Sequence, residues 1–253
     1  MSENEAVADD NVELLFYRRV TALRPDLHGA LKIGTPPDQS FTARTNSVPL
    51  AGVEFGEAGK EYPLVFARDG SGNFNAVVVL GLENAENLFL GEKADWQAHY
   101  VPAFVRRYPF VLGSNYENPA QPLVCVDESC PWLGHDVVGE PLFIANQPSS
   151  FMVQIVSFLT DYNAQAERTA YFCQKLADWN LLTESQAQAT TADGKVHTLT
   201  DIWTVDEALL AQLDADKLQG LFKTGELAWI FFHLASLSNF RLLAERKSAR
   251  AAR

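Results

Sequence analysis

The feature that most constrains this chain is a change of periodicity near Pro148. Before it, apolar residues come in short runs: YPLVF at 62–66, NAVVVLGL at 75–82, YPFVL at 108–112 and PLVCVDES at 122–129. After it they recur at helical spacing, through Phe151, Ile155, Phe158 and Tyr162, and drift on to Tyr171, Leu176 and Trp179. Strands first and helices later predict an α+β fold. Antiparallel sheet is expected through the N-terminal and middle part, packed against C-terminal helices. We expect one domain over 14–246, between an acidic flexible tail at 1–13 and a basic flexible tail at 247–253.

The local signals are specific in places. ARDGSGN, between YPLVF and NAVVVLGL, reads as the loop of a hairpin. A second hairpin follows at YPFVL and PLVCVDES, so a Tyr-Pro pair opens an apolar strand twice. Strands are also expected at LLFYRRVTAL (14–23) and NLFL (87–90), and a helical turn near Pro102. AGVEFGEAGKEY at 51–62 predicts a short helix carrying Val53 and Phe55 inward. Ser149 or Ser150 is placed to cap the helix after Pro148. The stretch 185–206 turns over Asp193-Gly194 as a smaller hairpin, and one or two short helices follow. GELAWIFFHLASLSNFRLLAERK closes the chain as a helix, apolar on most faces up to Leu237, which predicts burial.

Charge and cysteine usage narrow the setting. The chain has 253 residues and a net charge of −12, which disfavours nucleic acid and anionic membrane as main partners. No secretory signal and no run long enough to span a bilayer is seen, and three scattered cysteines suit a reducing compartment. A cytoplasmic protein is expected.

No dinucleotide, P-loop, nucleophile-elbow or zincin motif occurs. Cys125, Cys130 and His135 have the spacing C-x4-C-x4-H with Asp136 adjacent, which is not a standard zinc pattern. A catalytic reading would use Cys130 as nucleophile, with His135 as base and Asp136 near it; the plain alternative is a structural thiol. No cofactor and no metal are expected. His233, four residues after Trp229 in the apolar helix, reads as a hydrogen-bonded core histidine. Arg106 and Arg107, flanked by Tyr108 and Trp96, form the most promising binding patch. If the chain is extended there, only one arginine can point into a site. It would then grip an anionic group, or else pair internally with a carboxylate. Arg18 and Arg19 pose the same choice.

Several segments together resemble the bacterial SapC family. They are FTARTNSVPLAGVEF, EYPLVF, VLGLENAENLFL, W-x3-YVPAFVRRYPF and LVCVDES, then FLTDYNAQAERTAYFCQKL, IWTVDEALLAQL and GELAWIFFHLASLSNFRLL. The resemblance spans roughly residues 14–244. The family name is associated with bacterial surface layers. Members are met beside tryptophan-halogenase-like flavoenzymes and outer-membrane receptors, which implies an accessory or peptide-modifying role. The resemblance supplies no catalytic set. The expected function is therefore an accessory protein, non-catalytic, that binds a peptide, protein or small molecule, with homo-oligomerisation open. The alternatives are an enzyme and a cell-envelope assembly protein.

Overall fold

The computed structural model describes residues 15–115, 118 and 122–251. The acidic stretch expected as a tail at 1–13 lies outside them. In chain order the strands are β1 (Val20–Ala22), β2 (Lys32–Ile33), β3 (Ser47–Pro49), β4 (Leu64–Arg68), β5 (Phe74–Val79), β6 (Phe110–Gly113), β7 (Leu123–Asp127), β8 (Leu133–Gly134), β9 (Glu140–Pro141), β10 (Phe143–Ile144), β11 (Gln147–Pro148), β12 (Leu182–Thr190) and β13 (Val196–Val205). The helices are α1 (Pro25–His28), α2 (Phe55–Ala58), α3 (Ala103–Arg106), α4 (Ser150–Asp178), α5 (Glu207–Ala211), α6 (Ala215–Thr224), α7 (Glu226–Ser236) and α8 (Phe240–Ala251). The fold is α+β, and every strand pairing among the described residues is antiparallel. The chain divides into two compact units, 1–37 with 107–163 and 38–106 with 164–253.

In the first unit the sheet order is β1-β7-β6, with Val20 opposite Asp127 and Phe110 opposite Val126. The YPFVL hairpin is thus as expected, but of the strand expected over 14–23 the described residues form only Val20–Ala22. β2, β8 and β9 make a separate small sheet. Phe110, Val126, Leu142 and Leu159 fill the core. The Ser149 hydroxyl accepts from Met152 N at 3.2 Å and caps α4.

The second unit holds a five-stranded sheet in the order β12-β13-β4-β5-β3. The YPLVF hairpin pairs Val65 with Val77. The 182–205 hairpin does not stand apart, because β13 joins β4 through Trp203 and Phe66. Phe55, Tyr62, Phe66, Phe172, Leu176 and Ile230 are fully buried around this sheet. A Cβ on Gly52 would lie 2.3 Å from the Trp229 ring, so only glycine allows the turn before α2 to approach α7 this closely. Gly225 takes φ +77°, a left-handed conformation that ends α6 and turns the chain into α7.

Several expectations are corrected here. NLFL is not a strand: only an isolated bridge, Leu90 to Trp96, forms. Its carbonyls are satisfied from elsewhere, since Arg250 donates to Asn87 O at 2.9 Å and to Leu90 O at 2.6 Å. Arg246 donates to Gln97 O, and Lys247 pairs with Glu83 and Glu86. The basic stretch expected as a tail from 247 is helix as far as Ala251, and its cations hold the 83–97 segment. Val53 is 51% exposed while Phe55 is buried, because the short helix turns only one face inward. Tyr171 also points out; the inner face of α4 instead runs through Met152, Leu159, Tyr162, Phe172 and Leu176. By length and mean hydropathy, Glu226–Ala251 is one helical stretch apolar enough to cross a membrane. In this fold its inner side chains bond to the sheet and its approach. His233 Nδ1 donates to Leu64 O at 2.8 Å, and Asn239 donates to Gly59 O and Tyr62 O.

Candidate functional site

Four residues carry the binding expectation. Trp96 and Arg106 belong to the second unit, Arg107 and Tyr108 to the first. Arg106 ends helix α3, so it is not in extended chain. It is exposed, donates from Nε to Val101 O at 3.0 Å, and lies 5.9 Å from the Tyr100 ring centre. Trp96 donates from Nε1 to the Tyr62 hydroxyl at 2.8 Å and stacks on Phe89 at 6.4 Å. Burial drives the Tyr62 phenol upward in pKa, so it stays a neutral donor and acceptor.

Arg107 is half-buried. Its guanidinium stands 5.2 Å from the Tyr162 ring centre and 5.9 Å from that of Tyr17, within cation–π range. Tyr108 is buried, packs edge-on against Tyr17 and Trp132, and directs its hydroxyl to Asp127 Oδ2 at 3.3 Å. Asp127 is the hub of this unit. Its carboxylate is inaccessible to solvent and accepts from Arg18 N at 3.0 Å, Arg19 N at 3.1 Å, Ser129 N at 2.9 Å and Ser129 Oγ at 2.6 Å. Burial alone would raise its pKa, but these hydrogen bonds outweigh burial and hold it below the ordinary aspartate value. Burial likewise pushes the Tyr17 and Tyr108 phenols up. Of the earlier arginine pair, Arg19 makes the plain ion pair, with Glu128 at 3.0 Å.

The second candidate set is not assembled. Cys130 is buried, and burial pushes its thiol up to about 11, so it is protonated at neutral pH. His135 and Asp136 are exposed, and among the described residues no hydrogen bond or ion pair joins either to Cys130. Cys125 is raised by burial as well, and Cys173 is raised to about 12. Among the described residues no group of three His, Cys, Asp or Glu is placed to hold a metal ion.

One surface escapes the sequence reading. Along α7 the buried residues are Glu226, Trp229, Ile230, His233 and Ser236, a clean inward face. The opposite face exposes Ala228, Phe231, Phe232 and Ala235, with Phe231 54% and Phe232 44% accessible. No charged residue lies among these four. Phe232 adjoins Gly56, 3.4 Å from where a Cβ would sit, and exposed Val53 precedes Gly56 by one turn. Uniform apolarity hid this face, because it predicts burial without saying which side remains wet.

Fold and side chains together define an α+β protein with an internal arginine–aromatic–carboxylate cluster and an outward apolar helix face. It belongs to the SapC family, whose match covers residues 23–243. No curated protein and no solved structure matches the chain.

Proposed function

We propose that this SapC-family chain is a non-catalytic accessory protein of the cytoplasm that binds a protein or peptide through the outer face of α7. One observation carries this reading: two adjacent phenylalanines, flanked by alanines and bordered by Val53 and Gly56, stand in solvent on an ordered helix. Exposed apolar surface of this kind marks interaction sites. Arg107 and Tyr108 read as structural, since their packing partners are Tyr17, Tyr162, Trp132 and Asp127. The protonated Cys130 thiol speaks against a cysteine nucleophile.

A photo-crosslinking phenylalanine analogue at position 231, used in living cells, tests the reading. A discrete protein or peptide adduct that disappears with Phe232→Asp is expected. No adduct at 231, together with loss of in vivo function in a folded Cys130→Ala or His135→Ala protein, would replace binding with catalysis.

A further inference from the structure

Helix α8 is held in two different ways along its length. Its first half, 240–244, is anchored by packing: Leu243 and Ala244 are buried. Asn239, in the tight turn just before it, donates to Gly59 O at 2.8 Å and to Tyr62 O at 3.1 Å. In the second half, 245–251, the apolar side chains are Ala249 and Ala251, and both are exposed. What holds this half is polar. Lys247 Nζ lies 3.0 Å from Glu83 Oε2 and also pairs with Glu86. Arg250 donates to Asn87 O and Leu90 O, and Arg246 donates to Gln97 O at 2.7 Å. The Arg246 guanidinium also stands over the Phe89 ring, 4.3 Å from its centre. Ser248 Oγ accepts from Ala192 N at 2.8 Å. Each of these contacts crosses to the 83–97 segment or to the turn between β12 and β13.

We propose that residues 245–251 form a releasable strap. They unwind as a unit about the anchored first half of α8. Their release uncovers the ring face of Phe89 and leaves the carbonyls of Asn87, Leu90 and Gln97 open to water or to another donor. Segments with few buried apolar contacts are the ones that open locally. Opening also leaves no carboxylate without a partner. Glu83 keeps Lys195 at 3.5 Å and His197 at 3.2 Å, and Glu86 keeps Leu82 N at 3.0 Å. Salt separates the two halves of the helix. It screens the charge contacts of 245–251, where Glu83 is 47% exposed, and leaves the apolar anchor at 243–244 intact.

Hydrogen–deuterium exchange followed by mass spectrometry, on the full chain at low and high salt, tests this. Peptides over 245–251 and over 83–97 should exchange faster together at high salt, while those from α7 and β4 keep their protection. At low salt, Lys247→Gln and Arg250→Gln should each speed exchange in both segments by about tenfold, the effect of losing a partly exposed charge-assisted contact. Both variants should also lose part of the salt response. Unchanged exchange in α7 and β4 confirms that they remain folded. Arg241→Gln, at an exposed position of the anchored half, should change neither segment. Exchange over 245–251 that rises in step with α7 overturns the strap, because the helix then opens only with the whole unit. Acceleration confined to 245–251, with 83–97 unmoved, reduces it to end fraying and overturns it too. So does exchange that salt does not alter.

Discussion

In the second unit Tyr62-Pro63-Leu64 leads into β4, and in the first Tyr108-Pro109-Phe110 leads into β6. Both tyrosines are buried and both hydroxyls are hydrogen-bonded. In both, the carbonyl two residues after the tyrosine accepts from a distant side chain: Leu64 O from His233 Nδ1 at 2.8 Å, Phe110 O from the Tyr17 hydroxyl at 2.8 Å. The residue before each tyrosine differs. Glu61 accepts from His99 N at 3.0 Å and Tyr100 N at 2.9 Å, while Arg107 packs on Tyr17 and Tyr162. One way of starting a strand is thus secured by two chemistries. The first unit anchors its start on a buried aspartate hub, the second on a neutral histidine.

The hub should be the costlier feature to lose. Asp127→Ala leaves the backbone and hydroxyl donors around a solvent-free site without their acceptor. A loss of about 3–5 kcal/mol is expected, the range for breaking a buried charged network. Glu61→Ala removes a carboxylate that is 22% exposed, and water can replace it, so about 1 kcal/mol is expected. Urea denaturation of both variants measures the contrast. Equal losses would show that Asp127 is not the anchor.

The histidine makes the second unit sensitive to pH. His233 is fully buried, accepts from Val205 N at 3.1 Å and donates to Leu64 O, which fixes the neutral ring. Burial lowers its pKa from 6.5 to about 4. The unfolded chain therefore binds this proton before the folded one does. Its contribution is complete above pH 6.5, shrinks as pH falls through the interval, and has gone below about 4, a total of roughly 3 kcal/mol. Asp127, lowered in pKa, contributes stability that is lost as pH falls from the ordinary aspartate value through its own lower one. Denaturation midpoints between pH 7 and 4 should fall for the native chain and flatten in His233→Gln. A parallel fall in that variant would assign the slope to other groups.

How much of this was legible depends on where each residue's partners lie. The β4–β5, β6–β7 and β12–β13 hairpins and α4 carry their pattern within a few turns of chain, and the sequence predicts them. The 83–97 segment does not follow its local β propensity, because Arg246 and Arg250, 149 and 163 residues further on, take its carbonyls. Arg107 stood out as a polar residue among apolar ones, but Tyr17 and Tyr162 reach it from distant segments that no spacing rule connects. Cys130 and His135 are close in sequence but differ in environment, one buried and the other exposed. On α7, apolarity on every side left the inner and outer faces indistinguishable until the sheet chose one.

The finest difference between the two strand starts lies in what each loses when its capping hydroxyl is removed. Leu64 N donates to Ser236 Oγ at 2.9 Å inside the core, and Ser236 is itself inaccessible. A backbone N–H has a single bond to give, so Ser236→Ala orphans a buried donor at a cost of about 1–3 kcal/mol. Tyr17→Phe removes a donor from Phe110 O instead. A carbonyl keeps a second lone pair, and the substituted ring still lies beside Arg107, so about 1 kcal/mol or less is expected. Thermal or urea unfolding of the two variants side by side decides the matter. If Tyr17→Phe is the more damaging, the Tyr17 hydroxyl also holds Arg107, and the first unit's strand start depends on that pair rather than on the carbonyl cap.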